Sequence, residues 1–133
     1  MTKDADTIKS DVTNLESMKL AVVDAIEDIK GFDITVMDVR KLTSMTSYMI
    51  VASATSSRQA KAIADNVREK LKEKGYSIRG TEGEKEGEWV LVDLNDIVAH
   101  IMVPTTRAYY NLEQLWGEAE NRRGHIKSDN NED

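Results

Sequence analysis

An α/β fold with a mixed sheet of about five strands is predicted by three features of this 133-residue chain. Two long segments carry apolar residues at helical spacing, several short ones read as strands, and the two kinds are interleaved. Their order is helix, strand, strand, helix, strand, hairpin, helix. The length suits one domain with one core. That domain is expected over 13–119, between a polar, flexible arm at 1–12 and a disordered tail at 120–133.

The first helix is predicted to open at Thr13, where Thr13-Asn14-Leu15-Glu16 has the T-x-x-E capping-box pattern. Leu15, Met18, Val22, Ile26 and Ile29 then form one stripe, and Gly31 is the expected C-terminal cap. "DITVMDV" (33–39) reads as a strand with Ile34 and Val36 on one face, Met37 and Val39 on the other. "YMIVAS" (48–53) is apolar on both faces, as a central strand is. In "TSSRQAKAIADNVREKLKEKG" (55–75), Ser56 and Gln59 fit a capping box. Ala60, Ile63, Ala64, Val67 and Leu71 form its stripe, and Gly75 ends it. "YSIR" (76–79) reads as a short edge strand, which a crossover could set parallel to 48–53. "GTEGEKEGE" (80–88) reads as an exposed loop. A final helix through 106–116 is expected to break near Asn111.

The informative stretch is "EWVLVDLNDIVAH" (88–100). With Leu94-Asn95 as a two-residue turn, Asp93 pairs with Asp96, Leu91 with Val98 and Trp89 with His100. One face then holds Val90, Val92, Ile97, Ala99, Ile101 and Val103, which must be core. The other holds Trp89, Leu91, Asp93, Asp96, Val98, His100 and Met102. Buried, that second face would strand two carboxylates; exposed, it is more apolar than ordinary solvated sheet. A half-apolar face edged by acids suits a protein-docking surface. A metal site of Asp93, Asp96 and His100, or a partly covered Trp with two turn aspartates, stays open on residues alone.

Other chemistry finds little support. The chain has no cysteine, hence no disulfide, thiolate nucleophile or Cys-based zinc site. His100 and His125 are its only histidines. "SATSSRQ" (53–59) lacks phosphate-loop glycines, so Ser56 and Ser57 read as caps. Tyr109, Leu112 and Trp116 read as a core stripe. No catalytic residue, metal or cofactor is predicted. With no apolar membrane span and no signal-peptide pattern, a cytoplasmic location is expected. The net charge of −6 disfavours extensive nucleic-acid contact and favours a basic partner.

Four blocks taken together, "MDVRKLTS" (37–44), "ATSSRQAKAIADNV" (54–67), "EWVLVDLNDIVAH" (88–100) and "TTRAYYNLEQLWG" (105–117), resemble the ribosomal silencing factor (Iojap) family over about 15–118. The resemblance implies a nucleotidyltransferase-like α/β fold. It also implies binding to the large ribosomal subunit through ribosomal protein fourteen. That contact blocks joining of the small subunit and damps translation when nutrients are scarce. The contact surface it implies is Trp89, Asp93, Leu94, Asp96 and His100, to which the facing pattern adds Leu91, Val98 and Met102. Ala54 and Asn95 stand where the family pattern has glycine. A nucleotidyltransferase enzyme is the runner-up, but no D-x-D pair follows Ser56-Ser57 to hold its metals. A scaffold that dimerises through the same face when free is a third reading.

Overall fold

The computed structural model describes residues 4–116, with side chains from Leu15 onward. Helix α1 spans Asp4–Asp28 and helix α2 spans Ser57–Glu73. The strands are β1 (Phe32–Asp38), β2 (Tyr48–Ser53), β3 (Gly80–Glu82), β4 (Trp89–Asp93) and β5 (Ile97–Met102). Helix α3 (Pro104–Tyr110) follows, then a further helical turn over 112–116. The five strands form one sheet in the order β1-β2-β5-β4-β3. β2 and β5 run parallel; the other three neighbouring pairs are antiparallel. The mixed α/β architecture is therefore as expected.

Helices α1 and α2 cover one face and make the main core. Ala60, Ile63, Ala64, Val67 and Leu71 of α2 are all fully buried. They meet Met18, Val22, Ala25 and Ile26 of α1 and the sheet residues Ile50, Ala52, Val90, Val92, Ala99 and Ile101. Each aliphatic side chain so buried contributes roughly 1.5–3 kcal/mol relative to exposure. Ser56 caps α2 as expected: its Oγ accepts from the Gln59 N–H at 3.1 Å. Gln59 answers with Oε1 on the Thr55 N–H, while its Nε2 donates to the Ile29 carbonyl at the end of α1. One capping side chain thus ties the two helices together.

Several boundaries depart from expectation. α1 begins at Asp4, so residues 4–12 are helical rather than an arm, and Thr13 lies inside the helix. No glycine or proline interrupts Asp4–Val12. Residues 1–3 and the expected tail at 120–133 lie outside the described residues. At the other end of α1 the left-handed residue is Lys30 (φ 70), not Gly31. Lys30 N–H donates to Glu27 O and Gly31 N–H to Ile26 O, a Schellman closure. Gly31 is needed for space, since a Cβ there would sit 2.4 Å from Ile26 Cγ2.

The short strand expected at 76–79 forms instead at Gly80–Glu82, because β4 offers its free edge to Gly80, Thr81 and Glu82 opposite Asp93, Val92 and Leu91. Tyr76 and Ile78 pack on the main core. β3 runs parallel to β2 but with β5 and β4 between them, so the parallel neighbour of β2 is β5 and not the segment after α2.

Candidate docking face

The β4–β5 hairpin places the predicted site residues. Trp89 pairs with Met102, Leu91 with His100 and Asp93 with Val98. The expected pairing is therefore displaced by two residues on β5. Because side chains alternate with period two, a displacement of two leaves both faces intact. Val90, Val92, Ile97, Ala99 and Ile101 are all fully buried against the helices. The turn moves onto Asn95 and Asp96. Asn95 takes φ 75, the Asp96 N–H donates back to Leu94 O, and the Leu94 N–H donates to Ile97 O. This is a γ-turn of the positive-φ kind. Asn accepts that conformation and a leucine would resist it.

The turn takes over its carboxylate. Asp93 Oδ1 accepts from the Asn95 N–H at 2.9 Å, and Arg79 Nε lies 3.9 Å from Oδ2. Arg79 also donates to Asn95 Oδ1. Asp96 is exposed and, with Leu94, lines a groove of about 520 Å³ beside Leu15, Met18 and Tyr76. Leu94 itself is only 2% exposed and belongs to the main core, so its expected place on the open face is corrected.

His100 and Met102 are corrected too, being buried rather than open. The second face of the sheet carries its own apolar cluster of Val39, Met49, Val51 and Met102, and Leu112 and Trp116 pack over it. The chain returns across this face through α3. Asn111 makes the return possible: with φ 47 it ends α3, and its Oδ1 accepts from the Gln114 N–H to start the next turn. That break puts Tyr109 out of register with Leu112 and Trp116. Tyr109 is 82% exposed, so the expected three-residue core stripe holds for its last two members only.

A clasp holds the returning segment down. Arg107 donates through Nε and Nη2 to both oxygens of Glu113, through Nη1 to Ser53 Oγ at 2.8 Å, and through Nη2 to Thr35 Oγ1. The guanidinium keeps the Glu113 carboxyl below its ordinary pKa. Strands β1 and β2 and the residues on both sides of Asn111 are thereby joined through one side chain.

Trp89 stands where the covered part of this face meets the open part. Its indole N–H donates to His100 Nδ1 at 2.9 Å, and Tyr110 packs on it with ring centroids 4.7 Å apart. Burial pushes the His100 pKa down to about 4. The imidazole is then neutral at pH 7, and since Nδ1 accepts, its proton sits on Nε2. That Nε2 is buried and has no partner among the described residues. A metal site of Asp93, Asp96 and His100 finds no support here, because Nδ1 is engaged and Asp93 is held in the turn. Among the described residues no three His, Cys, Asp or Glu side chains gather as a metal set.

What stays open is a strip of half-buried residues, Trp89, Leu91, Asp93 and Val98, beside Tyr109 and Tyr110. Sequence reasoning missed the two tyrosines as surface. The signal was Asn111 itself, a break that ends one helical register before the next begins.

The chain can be set against known proteins. The model of a family described as "Ribosomal silencing factor during starvation" matches residues 12–133. Ribosomal silencing factor RsfS of Chromobacterium violaceum is 55% identical over 102 residues, which is 77% of this chain and 83% of that one. RsfS of Bacillus subtilis is 35% identical over 106 residues, 80% and 90% of the two chains. The chloroplastic protein Iojap of Zea mays is 37% identical over 77% of this chain and 45% of its own length. A crystal structure of a Chromobacterium violaceum protein superposes with a TM-score of 0.75 at 48% identity, covering 85% of this chain and 89% of that one. The matched residues contain the whole sheet, the hairpin and the returning C-terminal segment, and the chain belongs to the ribosomal silencing factor family.

Proposed function

We propose that this protein binds the large ribosomal subunit through the open strip of its sheet, with ribosomal protein fourteen as the contact. Seated there, it keeps the small subunit from joining and lowers translation when nutrients are scarce. The action is steric and needs no catalysis. The observation that carries the reading is the border of the strip. Residues 79–96 hold six carboxylates (Glu82, Glu84, Glu86, Glu88, Asp93 and Asp96) against two cations (Arg79 and Lys85); Asp93 stands in the strip with Leu91 and Val98, while Glu84 is taken up by Arg68 of α2 and Asp96 lines the groove beside α1. Such a surface repels the phosphate backbone of ribosomal RNA and attracts a basic protein. Family membership supports the ribosome as the place where that protein is met.

Trp89 is the anchor. Truncating an aromatic anchor at the centre of an interface removes about 2–4 kcal/mol. Trp89→Ala is expected to weaken binding to purified large subunits at least ~30-fold and to restore subunit joining as followed by light scattering. The fold persists, because the main core lies on the other side of the sheet. A Trp89→Ala protein that binds normally, or that unfolds, would remove the docking assignment.

A further inference from the structure

The open strip ends against a wall. At the Trp89 end, α3 rises from the sheet and presents Tyr110, 51% exposed, and Tyr109, 82% exposed. The three rings are in series: Tyr110 lies 4.7 Å from Trp89, and Tyr109 meets Tyr110 edge-on at 4.9 Å. Tyr109 stays largely exposed although its edge meets Tyr110. Rings kept in water in this way carry a solvation cost that a partner can relieve.

We infer that Tyr109 and Tyr110 are part of the docking face, and that they receive an arginine or lysine side chain of the same basic protein whose apolar contact falls on Trp89, Leu91 and Val98. The inference rests on the docking reading above and adds to it the side chain that the partner must supply. Two observations select a cation. The ring faces of tyrosine attract cations directly. The loop that leads into Trp89 is also acidic, with Glu86 and Glu88 exposed and Lys61 of α2 set against it at Gly87. α3 and the turn after it add no free positive charge to oppose it, because Arg107 is committed to Glu113. The strip is also polarised along its length. Trp89 and Asp93 are four residues apart on one strand, about 13 Å.

The test is equilibrium binding of purified large ribosomal subunits to the full chain and to Tyr109→Ala, Tyr109→Phe, Tyr109→Leu and Trp89→Ala. Tyr109→Ala should weaken binding about tenfold without changing the melting temperature. Tyr109→Phe keeps the ring and should bind within about twofold of the unmodified chain, whereas Tyr109→Leu keeps apolar area without a π face and should fall with the alanine variant. Normal binding by Tyr109→Ala alongside loss in Trp89→Ala would overturn the inference and leave the docking face standing. Normal binding by Tyr109→Leu would overturn the cation. No binding by the unmodified chain would overturn the docking reading itself, and the inference with it. Sedimentation of the free proteins adds one more arm. A dimer that Tyr109→Ala dissolves, with subunit binding unchanged, would assign the tyrosines to self-association and overturn the inference.

Discussion

His100 is an imidazole enclosed on a face that alternation alone would leave open. Strand periodicity says which side of the sheet a residue faces, and it placed His100 beside Trp89 and Met102 correctly. It says nothing of what later segment returns to cover that side, so the burial of His100 and Met102 was not legible. For Met102 the cover depends on Asn111 turning the chain back, which brings Leu112 and Trp116 over its cluster, and for His100 the contact shown is with Trp89. The consequence can be measured. His100 titrates near pH 4 in the folded protein, below its ordinary 6.5. Between those values the unfolded chain takes up a proton that the folded one refuses. Stability from this group is therefore complete above pH 6.5 and declines as the pH falls towards 4, by about 3 kcal/mol in all. Urea midpoints at pH 7.5 and pH 5 should show this decline in the native chain and a shallower one in His100→Gln, whose amide does not titrate. Identical pH dependence in the two proteins would mean that the imidazole is not enclosed.

The hairpin shows how an element can be read correctly from a wrong pairing. The turn was placed one residue early, yet every residue of the hairpin strands that packs against α1 and α2 was identified, because the error displaced the pairing by two and side chains repeat every two. The misfit had a visible mark: Leu94 is a poor residue for positive φ, and the structure gives that conformation to Asn95. Asn95→Gly should be neutral within about 0.5 kcal/mol, while Asn95→Val should destabilise by about 1–2 kcal/mol, read as a shift in the urea midpoint. β3 and the start of α1 were less legible. Gly-Thr-Glu has weak strand preference and forms only because β4 offers an edge, and no local signal marks where α1 begins. The returning segment gives a second test. Arg107 is 13% exposed and Glu113 30% in their side chains, so the pair is only partly screened. Glu113→Ala leaves a guanidinium with its main acceptor gone, and should cost about 1–3 kcal/mol. Backbone amides of 112–116 should exchange faster while those of β2 and β5 stay protected; equal protection would show that Leu112 and Trp116 hold the segment without the clasp.

At the scale of the molecule, the two faces of one sheet do different work. α1 and α2 close the first; the second is shared between the chain's own C-terminal turn and an open strip bordered by acid. No helix of the described residues is long and apolar enough to cross a membrane. The charge border was legible from composition, but the division of the second face was not. A strip of this kind should recruit its partner electrostatically. Asp93→Asn with Asp96→Asn should slow association with large subunits and flatten its dependence on salt, with a smaller change in dissociation, as followed by stopped flow. An unchanged salt slope would assign both carboxylates to the turn alone, where Asp93 already has a role.

The central claim is that the open strip faces a basic protein of the large subunit. A photo-crosslinking amino acid placed at position 91, in the middle of the strip, tests it most directly. The control carries it at position 20, where Leu20 is 64% exposed on α1, a helix that covers the opposite face. After irradiation with purified large subunits, mass spectrometry should recover ribosomal protein fourteen from position 91 and not from position 20. Crosslinks from position 91 to ribosomal RNA or to another ribosomal protein, or equal yields from the two positions, would contradict the account.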